Sequence, residues 1–136
     1  MIRTKRSAAP AKTKRFGHAV VASIAKEHYL WIRAGSGSAH KFTGIWSVVV
    51  EGRVFVRSWY MKPSGWYYAF LDDPRGAVRL GTKEIPVRAA QVRSERLLTA
   101  ISAAYAEKYT TPASIQYVKG FARGKRLATT TELTPQ

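Results

Sequence analysis

Arg57 and Ser58 lie in the densest aromatic stretch of the chain. Seven of its sixteen aromatic residues (Phe55, Trp59, Tyr60, Trp66, Tyr67, Tyr68 and Phe70) fall within sixteen positions, interleaved with Lys62 and Ser64. A cation beside aromatic rings suits a planar, phosphate-bearing ligand, because the rings stack on its plane and the cation makes charge-assisted bonds to its phosphate. The same residue types also build ordinary strands, in which a cross-strand aromatic pair contributes a few tenths to about 1 kcal/mol. Residue type alone leaves both readings open.

Other chemistries find less support. His18, His28 and His40 are widely spaced along the chain, and none has a second ligand at metal-binding spacing. The one adjacent carboxylate pair, Asp72-Asp73, sits in the turn sequence Asp72-Asp73-Pro74-Arg75-Gly76. There is no cysteine and no Gly-x-Ser-x-Gly elbow to supply a nucleophile. Gly35-Ser36-Gly37 has neither the lysine-hydroxyl ending nor the following helix of a phosphate-cradling loop, and reads as a hairpin loop. No self-sufficient catalytic constellation is encoded.

The elements that must position the aromatic stretch are mostly strands. Phe42–Val50 and Val54–Tyr60 are rich in valine and aromatics, and Glu51-Gly52-Arg53 between them supplies a hairpin glycine. Alternation puts Phe55, Arg57 and Trp59 on one face and Val54, Val56, Ser58 and Tyr60 on the other. Valine marks the core side, so Arg57 is expected to project outward or toward a barrel partner. A turn at Lys62-Pro63-Ser64-Gly65 leads into a predicted strand at Trp66–Leu71. Val78–Leu80 and Ile85–Val92 continue the meander, and Pro86 calls for an exposed edge or a bulge.

Helices are predicted at the two ends. Val20, Val21 and Ile24 share one face of a short helix from Gly17 to about His28, and Tyr29–Arg33 then alternates as a strand. Ser94 caps a helix in which Leu97, Ile101 and Tyr105 recur every four residues down to Tyr109, so this helix must lie on the sheet. Thr111-Pro112 opens a short helix that Gly120 is expected to end. Leu127–Leu133 reads as a closing strand. The pattern is α+β, an antiparallel barrel or sheet carrying a C-terminal helix.

At 136 residues, 46% hydrophobic and 12% aromatic, the chain is long and apolar enough for one packed core. The absence of cysteine fits the cytoplasm, and no apolar run is long enough to cross a membrane. The net charge is +15, and six of the cations (Arg3, Lys5, Arg6, Lys12, Lys14 and Arg15) fall within residues 1–15, which hold no acid. Residues 1–16 therefore read as a basic flexible arm and residues 17–136 as one domain. The arm's charges suit nonspecific contact with nucleic acid, and the charge of the whole chain favours polyanionic or phosphate-bearing partners.

Four segments together carry a family resemblance. Ile45-Trp46-Ser47-Val48-Val49-Val50 leading to Val54-Phe55-Val56-Arg57-Ser58, then Gly65-Trp66-Tyr67, the helix end Ala104-Tyr105-Ala106-Glu107-Lys108-Tyr109, and the closing Ala128-Thr129-Thr130-Thr131-Glu132-Leu133-Thr134-Pro135 resemble the bacterial domain-of-unknown-function family numbered 2255. The likeness spans most of residues 17–135. More distantly, the order of strands, the Trp-Tyr after a turn and the terminal Leu-x-Pro are similar to the split-barrel flavin- and deazaflavin-binding proteins, which include nitroreductases and pyridoxamine phosphate oxidases.

The resemblance implies a six-stranded split β-barrel, a homodimer, and a cofactor of the FMN or deazaflavin type held by cationic and hydroxyl side chains. Arg57, Ser58, Trp66 and Tyr67 match the motif, and Lys62 and Thr43 join them by proximity. The chain departs from the pattern at Trp59-Tyr60-Met61-Lys62-Pro63, where relatives carry a smaller, glycine-containing turn. Three functions follow as alternatives: a cofactor-binding barrel that acts as a small oxidoreductase, a basic nucleic-acid-binding module, or a non-catalytic dimerisation scaffold.

Overall fold

The computed structural model describes residues 14–36 and 41–136. The predicted arm up to residue 13, His40, and the Gly37-Ser38 part of the glycine-serine loop lie outside the described residues. The chain opens with helix α1 (His18–Lys26), followed by β1 (Leu30–Ala34), β2 (Thr43–Ile45), β3 (Ser47–Val50) and β4 (Arg53–Val56). Helix α2 (Trp66–Asp72), β5 (Arg75–Leu80), β6 (Lys83–Gln91) and α3 (Glu95–Lys108) form the middle. A 3-10 turn at Pro112–Ser114 then precedes α4 (Ile115–Phe121), α5 (Gly124–Ala128) and β7 (Thr131–Pro135).

All strand pairs are antiparallel, and the seven strands make one sheet in the order β2-β1-β5-β6-β7-β4-β3. Its two edge strands are neighbours in sequence: β2 ends at Ile45, β3 begins at Ser47, and only Trp46 lies between them. A sheet whose two edges are joined by one residue has to curl until those edges meet, so chain continuity closes the barrel where hydrogen bonds do not. The α+β class with a nearly closed antiparallel barrel agrees with expectation. The seventh strand arises because the predicted run Phe42–Val50 divides at Trp46.

Two apolar clusters hold the fold. Inside the barrel, Leu30, Ile32, Val54, Val56, Val78, Val87 and Leu133 pack with Ile24 of α1 and Phe70 of α2. Outside it, Leu97, Ile101 and Tyr105 of α3 lie with Val48, Phe55, Tyr109 and Phe121. Both faces of β4 are therefore buried, which is why Val54-Phe55-Val56 reads as a continuous apolar run. The β3–β4 hairpin turns on Glu51 and Gly52, both in the left-handed region (φ 56° and 73°) that a two-residue turn of this hand needs. Ser94 caps α3 as predicted, its Oγ accepting from the Leu97 N–H at 3.3 Å. Pro86 lies where Gln136 donates to its carbonyl just past the Val87–Pro135 pair, so its missing donor falls beyond the end of the β6–β7 ladder.

Three local readings are corrected. Trp66–Leu71 is helical, because Trp66, Ala69 and Phe70 face the barrel core at helical spacing and the turn from Lys62 to Gly65 (2.8 Å) sets Gly65 as N-cap. The segment before β7 is also helical, since the hydroxyls of Thr129 and Thr130 donate to the carbonyls of Arg126 and Leu127 (2.6 Å each) and hold the α5 turn. Gly120 lies inside α4 rather than beyond its end. A Cβ there would stand 2.5 Å from the Trp59 ring, so the residue is small to admit the indole.

Candidate functional site

Where the barrel closes without hydrogen bonds, it opens a cavity of about 670 Å³. Thr43, Gly44, Ile45 and Trp46 bring the β2 edge to it, and the segment Arg57-Ser58-Trp59-Tyr60 leaves the end of β4 along its other wall. Lys62 and the start of α2, including Trp66, stand at the mouth, while Tyr117 and Phe121 of α4 close it from outside the barrel. Five predicted site residues, Thr43, Arg57, Ser58, Lys62 and Trp66, thus line one space. Tyr67 does not line it, and its hydroxyl instead donates to Gln91 Oε1 at 3.1 Å.

Arg57 is 1% exposed and does not project into solvent. It does leave the barrel interior, but α3 and α4 cover the face it points to. Its Nε donates to Thr130 Oγ1 (2.7 Å), Nη1 to Ser102 Oγ and the Phe121 carbonyl (2.9 Å each), and Nη2 to the Leu98 carbonyl (3.0 Å). Four of the five guanidinium donors are thereby used on neutral acceptors. No carboxylate among the described residues pairs with it, and burial pulls its pKa down to about 10, with Tyr105 opposing the shift. Behind the cavity wall therefore sits a buried positive charge with no counter-ion.

The neighbouring polar groups divide in the same way between internal and free bonds. Ser58 donates its hydroxyl to the Tyr60 carbonyl (2.6 Å) and its N–H to Thr129 Oγ1 (2.8 Å), which leaves its oxygen as an acceptor. Lys62 and Thr43 are exposed at the mouth, Lys62 Nζ lying 5.6 Å from the Tyr60 ring centre. These two are the donors positioned to reach an anion.

The aromatic walls are fixed from behind. The Arg126 guanidinium lies 3.6 Å from the centre of the Trp59 ring and its Nε bonds the Trp59 carbonyl (2.9 Å). Gly120 receives the same ring, and Trp46 stacks on Tyr109 at 4.0 Å, nearly parallel. Tyr60 is 71% exposed, so one broad ring is free at the entrance. The bulk of Trp59-Tyr60 builds the wall rather than filling the space. Tyr29, Trp46 and Tyr117 were not candidates on sequence, because they sit outside the aromatic stretch and only the barrel's closure brings them to it. Trp46, adjoining the conspicuous Val48-Val49-Val50 strand, carried the one local signal.

Fold and cavity together define a split-barrel protein with an aromatic, cation-backed cleft. The chain belongs to the DUF2255 family, described as an uncharacterized protein conserved in bacteria, whose profile matches residues 20–133. No functionally curated protein sequence matches it. Among solved structures it is similar to HutZ, named as a heme storage protein from Vibrio cholerae (12% identity, TM-score 0.63, covering 90% of this chain and 91% of that one). A putative pyridoxamine 5'-phosphate oxidase from Listeria innocua (10% identity, TM-score 0.60, 87% and 91% covered) and an F420-H2 dependent reductase (15%, 0.54, 79% and 91%) share the fold. At these identities the likeness concerns the fold alone.

Proposed function

We propose that this chain binds a planar, phosphate-bearing cofactor of the FMN or deazaflavin type in the cavity beside Trp46. The observation that carries the reading is the pairing of indole and phenol walls with the uncompensated charge of Arg57, in a space of ordinary ligand size. Lys62 and Thr43 hold the phosphate at the mouth, Arg57 supplies the field behind it, and Trp66 and Tyr60 flank the ring system. A bound cofactor of this class supplies hydride chemistry, and the protein supplies binding and orientation. Similarity in fold to proteins named for pyridoxamine phosphate oxidation and F420-H2 dependent reduction supports this class.

Titration followed by cofactor fluorescence tests the proposal, with FMN and a deazaflavin as separate ligands. Lys62→Ala is expected to weaken binding about tenfold, the scale of one hydrogen bond to a charged group. Trp66→Ala is expected to reduce quenching as well as affinity, while Tyr67→Phe, outside the cavity, leaves both unchanged. Absence of saturable binding by either cofactor to the parent protein rejects the reading.

A further inference from the structure

The outward face of β1, β5 and β6 belongs to neither apolar cluster and is lined with arginine and aromatic side chains. Paired residues of neighbouring strands share a face, and the register gives three rows across the sheet: Trp31–Arg79–Glu84, Arg33–Ala77–Pro86 and Arg75–Arg88–Thr134. Trp31 stays 42% exposed. Phe42 lies between two guanidiniums, those of Arg33 and Arg79, each 4.7 Å from its ring centre, and Arg79 also lies 5.7 Å from the Trp31 ring. A guanidinium beside a ring can still donate from its edge N–H groups to phosphate oxygens, and Arg79 is the one of this pair with no carboxylate contact among the described residues.

The acids on this face do not balance the arginines. Glu84 contacts Arg33 at 3.4 Å and Asp73 contacts Arg75 at 3.3 Å, whereas Arg79 and Arg88 have no carboxylate partner among the described residues. Between Arg33 and Arg75 lies a depression of about 310 Å³ floored by Ala77, with Glu84 and Pro86 also on its wall. The Nε of Arg33, at its rim, is buried without a hydrogen-bond partner among the described residues. None of Trp31, Arg33, Phe42, Arg75, Arg79 and Arg88 lines the cleft described above.

We infer that this sheet face is a binding surface for single-stranded nucleic acid, independent of any cofactor in the cleft. Arginines spaced along three strands match the phosphates of an extended strand, and exposed Trp31 offers a ring on which an unpaired base stacks; duplex bases, already stacked, cannot use it. A second copy of this chain is the poorer occupant, because a self-complementary contact would set the same arginines against each other.

The test is fluorescence anisotropy of the full chain with a labelled oligothymidylate and with a duplex of equal length. Arg79→Gln with Arg88→Gln is expected to weaken single-strand binding about tenfold at about 0.1 M salt and to lower the log–log salt slope by about 1.4, two phosphate contacts at roughly 0.7 each. Trp31→Ala is expected to weaken single-strand binding at least about fivefold and to spare duplex binding. Lys119→Gln with Lys125→Gln, a charge-matched pair on α4 and α5, should stay within about twofold of the parent, and circular dichroism confirms that each variant is folded. Equal losses in the two charge-matched pairs, or tighter binding of duplex than of single strand, overturn the inference. So does a parent dimer in sedimentation that Arg79→Gln with Arg88→Gln dissociates, since the face is then a self-interface.

Discussion

Arg57 shows at the scale of one residue how a side chain with functional chemistry can be committed to structure. Its four bonds tie the end of β4 to α3, to α4 and to Thr130. Arg57→Ala leaves those acceptors unsatisfied around a large void, and a loss of about 3–5 kcal/mol in urea unfolding is expected. Arg57→Lys keeps the charge but cannot reproduce the fork, so it should fall between parent and alanine variant. Cofactor assays belong on Lys62 for that reason. The sequence identified Arg57 by type and neighbourhood but left its exposure open, because alternation distinguishes two faces without revealing that α3 covers the second.

Lys108 and Tyr109 give the same scale a pH signature. Lys108 Nζ donates to the carbonyls of Ser47 (2.8 Å) and Ile24 (3.2 Å), and burial lowers its pKa to about 8, against a small opposing effect of Glu27. Between pH 8 and about 10.5 the unfolded chain holds this proton and the native chain releases it, so this group makes stability rise with pH through that window. Tyr109, bonded to His28 and Ser47, is pushed up to about 12 by burial. Its phenol ionises first in the unfolded chain, so its contribution is full below about pH 10 and is lost as pH climbs toward 12. Unfolding free energies across pH 7–12 for parent, Lys108→Met and Tyr109→Phe separate the two, the methionine variant losing the rise and the phenylalanine variant losing part of the fall.

At the scale of elements, the turns and the long helix were legible because each rests on local chemistry: Gly52 in its turn, Ser94 at its cap, Leu97, Ile101 and Tyr105 at helical spacing. Helix α2 was not. Trp66-Tyr67-Tyr68 favours strands by type, and its helical period is carried by only three core contacts, Trp66, Ala69 and Phe70, one of them alanine. Gly120 was legible as a glycine and misread as a stop, since the indole that requires its smallness lies 61 positions away in sequence. Gly120→Ala should therefore destabilise by about 1–3 kcal/mol despite alanine's better helix propensity, because Trp59 is pinned by Arg126 and cannot retreat freely. A change in near-ultraviolet circular dichroism from the displaced indole accompanies the expected loss, and unchanged stability would show that the ring has room to move.

For the whole molecule, strand order decides more than strand strength. The +15 charge and the antiparallel α+β class were readable from composition and turns, and the barrel from the family resemblance, but pairing order depends on contacts remote in sequence. Strand β7 pairs with both β6 and β4, so five residues join a four-stranded sheet to the β3–β4 hairpin. Removing residues 131–136 is expected to abolish the single cooperative unfolding transition, because the inner cluster then loses Leu133 and the ladder on both sides of it. A truncated chain that still unfolds in one step at a similar urea midpoint contradicts this picture.

That same placement fixes a timetable. A ribosome makes β1 to β6 and α3 before it makes β7, so the nascent chain has two unmatched sheet edges, on β6 and β4, for as long as synthesis of the segment from Arg93 to Thr130 lasts. Those edges are open to pairing with other chains during that interval and are sealed from both sides in one event when β7 arrives. Slowing translation across this segment should thus raise aggregation without altering the finished protein at all.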